Sequence, residues 1–299
     1  MPGPAFEPDL IAPVRTIGAA SFDFSRQVAV MAIVNRTPDS FHDRGATFGL
    51  EQAVRAALGY VEDGADWVDI GGMPWGLAGR SVTEAEEIDR VVPLVAALRA
   101  ESDVVISADT FRPEVARLAI EAGADVINDV SGLHYPELAD LVAETGTTLV
   151  ITHSLLFPLL TPPARGSYGD VTVEVVDFLR GKADLALERG VKPDQLIVDP
   201  GHDLNKSVYH SIDLTRRLDE IAALGHPALV AVSNKHFIGD TLDVEQQDRK
   251  EGTLAALVMC ILQGARIVRV HDVKGTVAAV RMTEALLGWR QPANPRHNV

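Results

Sequence analysis

Two rhythms of apolar and polar positions alternate along this chain. Short runs rich in β-branched residues recur at 28–35, 66–72, 104–109, 125–130, 148–154, 196–201, 228–235 and 266–273. Between and after them lie segments whose apolar residues return every three to four positions, at 50–62, 83–101, 112–122, 136–144, 171–189, 211–224, 252–263 and 276–287. The first spacing is that of a strand, the second that of a helix with one face on a core. Strand then helix, repeated, predicts a parallel sheet, because a strand laid parallel to its predecessor needs a crossover between them. Runs such as Leu149-Val150-Ile151 are apolar at consecutive positions and suit strands covered on both faces. Eight such units favour closure into a single-domain (β/α)8 TIM barrel over an open doubly wound sheet. The weakly alternating stretch 14–24 predicts a short hairpin or plug at the barrel's N-terminal end.

Composition narrows the class. With 46% hydrophobic and 23% charged residues in 299, the chain has the apolar mass for one large core. No run approaches the roughly 18 apolar residues of a spanning helix, and no Lys/Arg-led apolar leader opens the chain, so a cytoplasmic protein without a membrane partner is expected. Residues 1–13 and 291–299 read as flexible ends around a domain of 14–290. The net charge of −15 opposes non-specific binding to a polyanion and argues against a nucleic-acid partner. The single cysteine, Cys260, cannot form an intramolecular bridge, and no metal-binding Cys or His spacing is present; disulfide scaffolds and structural zinc are excluded.

Candidate chemistry collects at the strand ends: Asn35, Asp69, Asp109, Asn128-Asp129, His153, Asp199, Ser233-Lys235 and Arg269-His271-Asp272. In a barrel these ends converge at one mouth. Any one Asp or Asn there could simply cap the next helix. Eight coincident polar ends are harder to explain that way, and Asn128 lies inside apolar strand sequence, where an amide needs a partner. Acceptors on the third, fourth and sixth strands with cations on the seventh and eighth form a site polarised from a donor-rich ligand towards an anion.

The segments Ile33-Val34-Asn35-Arg36-Thr37-Pro38-Asp39-Ser40-Phe41, Asp69-Ile70-Gly71-Gly72, Ser107-Ala108-Asp109-Thr110, Ile127-Asn128-Asp129-Val130, Asp199-Pro200-Gly201, Ser233-Asn234-Lys235 and Arg269-Val270-His271-Asp272-Val273 occur in order along the chain. Together they resemble the dihydropteroate synthase family, and within it a divergent second paralogue of the kind found in mycobacteria. The resemblance implies a barrel that joins the methylene of a dihydropterin pyrophosphate to the amine of p-aminobenzoate and releases pyrophosphate with Mg2+ assistance. It implies that Asp109, Asn128, Asp199 and Lys235 grip the pterin, that Arg269 and His271 receive the pyrophosphate, that Asn35 reaches a phosphate-bound Mg2+, and that the protein is a homodimer built through its later helices. Two carboxylates, an amide and a lysine suit the N–H groups and ring carbonyl of a pterin.

The pattern then breaks around the second substrate. The family's Glu-Ser-Thr-Arg-Pro-Gly after Asp-Ile-Gly-Gly is replaced by Met73-Pro74-Trp75-Gly76-Leu77-Ala78-Gly79, so Met73 and Trp75, with Ser233, mark the expected second-substrate region. Arg80 is a shifted cation, and Arg36 and Arg44 add bulk to the first loop. The sixth loop, Gly201-His202-Asp203-Leu204-Asn205-Lys206, lacks two family glycines and a Phe, so a loss of backbone permissiveness and of an aromatic wall is expected; here His202 reads as solvent-facing and Lys206 as structural. Asn234 stands where the family has Arg. Three functions follow: a pterin- or sulfone-binding barrel without authentic synthase activity, a working dihydropteroate synthase of folate biosynthesis, or a pterin-dependent transferase with another acceptor. The first accounts best for a kept pterin subsite beside several altered loops.

Overall fold

A computed structural model of the chain describes residues 5–36, 49–74, 82–155 and 168–297. A short antiparallel hairpin, β1 (Val14–Ile17) and β2 (Ala20–Asp23), precedes eight parallel strands: β3 (Ala29–Asn35), β4 (Trp67–Gly71), β5 (Val105–Asp109), β6 (Val126–Asp129), β7 (Thr148–Thr152), β8 (Leu196–Asp199), β9 (Ala228–Val230) and β10 (Ala265–Val270). These close into a barrel in sequence order, with β10 returning to β3. The predicted (β/α)8 TIM barrel and its N-terminal hairpin are both present.

The outer layer is α1 (Leu50–Glu62), α2 (Glu84–Glu101), α3 (Pro113–Glu121), α4 (Glu137–Thr145), α5 (Val171–Glu188), α6 (Val208–Arg216), α7 (Leu218–Ala222), α8 (His236–Leu242), α9 (Lys250–Leu262) and α10 (Val273–Leu286). Local chemistry sets the starts: Thr83 and Glu86 form a reciprocal capping box on α2, and Asp170 caps α5 through the Thr172 and Val173 amides. Two expected elements differ. The single helix expected over 211–224 is two helices meeting at Arg217, whose φ of −111° and ψ of 28° leave the helical region. The strand expected over 228–235 ends at Val230, because Asn234 takes a left-handed φ of 58° and Lys235 then opens α8.

Side chains alternate across each strand, and the two faces build separate cores. One parity, including Val68, Ile70, Ile106, Ile127, Leu149, Val198 and Val268, packs under the helices. The other, Met31, Trp67, Val105, Val126, Val150, Ile197, Leu229 and Ile267, fills the barrel together with Ile17, Phe22 and Phe24 from the hairpin and its exit. The hairpin therefore plugs the barrel floor. Phe22 stacks on Phe24 with ring centroids 5.6 Å apart and meets Trp67 edge-on, also at 5.6 Å. Upstream of it the Phe6 amide donates to the Leu262 carbonyl at 2.8 Å and the Ile11 amide to the Gly225 carbonyl at 3.0 Å. Residues 291–297 are exposed.

Truncating Phe22 to Ala should open a cavity under the floor and cost about 3–5 kcal/mol of stability, read as a fall in the urea midpoint. A loss below about 1 kcal/mol would mean that the barrel closes without the plug.

Candidate functional site

The inward parity that builds the floor also builds the mouth. Two residues beyond the apolar floor layer it carries Asp69, Ser107, Asn128, Asp199 and Arg269, and two further on it carries Asn35, Asp109, Ser233 and His271. Lys235 arrives differently, past the left-handed turn at Asn234 and at the start of α8, where Asp203, Asp199 and Asp109 are among its charged neighbours. Strand alternation thus brings Arg269 to Asp69, 200 positions away in the chain, over an apolar base that excludes water from below.

Their contacts are specific. Arg269 Nε donates to Asp69 Oδ2 at 2.6 Å and its Nη2 to Asp109 Oδ2 at 2.8 Å. Ser107 Oγ donates to Asp69 Oδ1 at 2.5 Å, and Asn128 Nδ2 to Asp69 Oδ2 at 3.2 Å. Asp109 and Asn128 lie directly opposite in the β5–β6 ladder. Asp199 Oδ1 accepts from the Gly201 amide at 2.7 Å. Arg269 turns towards the two carboxylates, and His271 Nδ1 meets Ser233 Oγ at 3.1 Å. Lys235 makes no side-chain hydrogen bond or ion pair among the described residues, and Asn128 Oδ1 is buried with no donor among them.

Burial dominates the electrostatics. Asp109 is pushed up to about 7 by loss of solvent, an effect that Arg269 opposes and the nearby carboxylates of Asp69, Glu87 and Asp129 reinforce. Asp199 is raised by burial against the pull of the Gly201 amide, and Lys235 is lowered by burial.

Not every polar strand end belongs to this layer. Asp129 faces the helices and accepts from the Ser131 and Leu133 amides at 2.7 and 2.6 Å, so it orders the turn after β6 and does not cap α4, whose N-cap is Pro136. Asp272 caps α10 through the Gly275 amide at 3.3 Å. His153 is turned outward onto Phe178, 4.7 Å between centroids. Met73 follows β4 half-buried; Trp75, Arg44 and Arg80 lie outside the described residues. Arg36 is tied to α2, its Nη1 donating to the Asp89 and Arg90 carbonyls at 2.9 and 3.0 Å.

The sixth loop corrects two expectations. His202 is not solvent-facing: it is 1% exposed, stacks near Phe237, shares a 3.2 Å contact with Thr215 Oγ1 and is held down at about 3 by burial and by Lys206. Loss of the two family glycines has not removed the backbone turns, since Asp203 and Asn205 occupy left-handed φ of 63° and 56°. Asp and Asn tolerate that region better than other side chains, and both are anchored, Asp203 by Ser211 Oγ at 3.0 Å and Asn205 by the Leu155 amide at 3.1 Å. Lys206 closes the loop by donating to the Gly201 and Leu204 carbonyls at 2.9 and 3.0 Å, with His153 Nδ1 at 2.9 Å. Its ammonium is brought down to about 7 by burial. Asp69 and Ser107 were the site residues that motif reading left without a role; their inward parity beside Trp67 and Val105 was the available signal.

Residues 31–271 match the model of the pterin binding enzyme family. The chain is 46% identical over 268 residues to the protein named Inactive dihydropteroate synthase 2 from Mycobacterium leprae, covering 88% of this chain and 92% of that relative. It is 40% identical to the dihydropteroate synthase of Synechocystis, covering 94% and 97%. Among solved structures, the Xanthomonas albilineans dihydropteroate synthase with 4-aminobenzoic acid superposes with a TM-score of 0.84 at 36% identity, covering 95% of this chain and 99% of that one. The Yersinia pestis dihydropteroate synthase in a sulfonamide drug complex gives 0.85 at 35%, covering 92% and 99%.

Asp109 generates a pH prediction. A carboxyl whose folded pKa lies above its unfolded value near ~4 contributes stability that is complete below that value and lost as pH rises through the folded pKa. Stability should therefore decline between pH 4 and about 7 through Asp109, and Asp109→Asn should decline less over the same window in urea titrations. Identical pH dependence in the two proteins would show that Asp109 ionises normally.

Proposed function

We infer the function of this chain from its membership: it belongs to the pterin-binding enzyme family, among the dihydropteroate synthases, and we read it as a barrel that binds a pterin-like or sulfone-like ligand without authentic synthase activity. The observation that carries the binding half is the inward polar layer, in which Asp109, Asn128, Asp199 and Lys235 stand together above an apolar floor. Carboxylates and an amide carbonyl accept from ring N–H groups, and the lysine donates to a ring carbonyl or nitrogen.

The inactive half rests on the second substrate. Synthase chemistry forms a C–N bond from an arylamine to the pterin methylene as the C–O bond to diphosphate breaks, with the amine losing a proton. Both partners must be aligned at once. In this chain the second βα loop has lost its acid, hydroxyls and Arg, and Asn234 replaces another Arg. Each lost charge-assisted contact removes about 1.5–3 kcal/mol when well formed. Two of the Arg269 nitrogens are already committed to Asp69 and Asp109, which leaves less of it for a diphosphate shared with His271.

Mg2+ fits this site only as a companion of the diphosphate. Among the described residues no three His, Cys, Asp or Glu side chains gather into a cage, but Mg2+ commonly takes one or two protein oxygens and the rest from phosphate and water. Asn35, at the end of β3 with Oδ1 facing Gly71, would supply its amide oxygen, and the ion would stabilise the leaving diphosphate.

A second copy of the chain is the partner we assign. The outward faces of neighbouring α9 and α10 carry Ala255 and Met259, and Ala278, Met282 and Leu286, with Met282 58% and Leu286 75% exposed. Such exposed apolar side chains on two neighbouring helices favour association, in keeping with the homodimer expected from the family resemblance. Among the described residues no helix is long and apolar enough to cross a membrane, and a cytoplasmic setting suits the single, buried, free Cys260.

The test incubates the purified protein with dihydropterin diphosphate, Mg2+ and p-aminobenzoate and follows pyrophosphate and dihydropteroate together. The expected result is little or no dihydropteroate, with 7,8-dihydropterin binding retained in a direct titration and weakened about ten- to a hundredfold by Lys235→Ala. Robust dihydropteroate turnover would establish a working synthase instead. Binding unchanged by Lys235→Ala would remove that residue from the site.

A further inference from the structure

Asp69 shares its layer of the barrel with Asn128 and Asp199 but is not among the residues assigned to the ligand, and its contacts give it a defined task. It is fully buried, and its Oδ2 accepts at once from Arg269 Nε at 2.6 Å and Asn128 Nδ2 at 3.2 Å, while Oδ1 takes the Ser107 hydroxyl at 2.5 Å. A carboxylate paired with a guanidinium offers only acceptors. Asn128 must therefore turn its NH2 group towards Asp69, which directs its carbonyl oxygen away. That oxygen is the one found buried with no donor among the described residues, on a side chain of a residue only 2% exposed. Amide groups with no such neighbour can present either end, and the end presented decides whether a ligand must donate or accept.

We propose that Asp69 is a positioning residue that locks the Asn128 amide with its oxygen facing the mouth, so that this corner of the site selects a ring carrying an N–H at that point and disfavours one carrying a lone pair. The proposal rests on the reading that the mouth binds a pterin-like ring. The lock depends on an oxygen at the Oδ2 position rather than on the charge of Asp69. Asp109, opposite Asn128 in the ladder and joined to the same guanidinium, adds a further acceptor, so the corner as a whole is built to receive donors.

The experiment is a double-substitution cycle on 7,8-dihydropterin affinity, with Asp69→Asn as the conservative variant. Asp69→Ala and Asn128→Ala should each weaken binding about tenfold, and the double variant should be no weaker than either single one, because Asp69 acts through Asn128. Asp69→Asn, which loses the charge but keeps an oxygen for Asn128, should stay within about threefold of the parent. Additive losses in the cycle, or Asp69→Asn as weak as Asp69→Ala, would overturn the proposal. Exchange of the Asn128 side-chain amide protons, followed by NMR in the ligand-free protein, separates this from the functional reading. Slowed exchange in the parent and in Asp69→Asn supports the lock even if dihydropterin does not bind, whereas fast exchange in the parent refutes it, including when Asp69→Ala fails to fold.

Discussion

Arg269, reaching from the last strand to Asp69 at 2.6 Å and Asp109 at 2.8 Å, is the contact on which the barrel mouth depends. Two carboxylates taken out of water beneath a ligand site would each cost several kcal/mol without a partner. One guanidinium answers both, and in doing so ties β10 to β4 and β5 from inside the barrel. Its planar fork suits this role as an ammonium would not. The same arrangement orders the neighbours: Asp69 is fixed by Arg269 and fixes Asn128, and Asp109 is held beside Asn128 in the next strand pair. Removing Arg269 would leave two buried carboxyl groups without the cation they share.

Below this layer the structure is ordinary and for that reason readable. Consecutive apolar residues in each strand could only serve a barrel covered on both faces, and the eight strands and their order were legible in the periodicity. The alternation that separates Val68 from Trp67, or Ile106 from Val105, also separates inward from outward polar residues. Motifs singled out Asp109, Asn128, Asp199 and Lys235 as candidates. They did not distinguish Asp129 and His153, which sit one residue off the inward parity and turn towards the helices. Pairing within the protein was not legible either: the carboxylates that Arg269 meets lie 160 and 200 residues away in the chain. The sixth loop shows a different limit, because the missing glycines suggested a changed backbone, whereas Asp203 and Asn205 adopt the left-handed turns and are pinned by Ser211 and Leu155.

The barrel thus combines a conservative interior with an altered rim. The groups proposed to face a pterin lie at strand ends, whose geometry closure fixes, while the family resemblance assigns the second substrate to loops, which tolerate change. Divergence confined to the loops can remove one substrate and leave the other. That division accounts for a chain 46% identical to a protein named as an inactive dihydropteroate synthase and 40% identical to a dihydropteroate synthase.

A crystal structure of the protein grown with 7,8-dihydropterin tests this account most directly. The account predicts the ring lying in the barrel mouth with its N–H groups on Asp109, Asn128 Oδ1 and Asp199 and with Lys235 on its carbonyl edge, while the Arg269 pair with Asp69 stays intact. A ring bound elsewhere, or one seated in the mouth only after Arg269 has left Asp69, would contradict it.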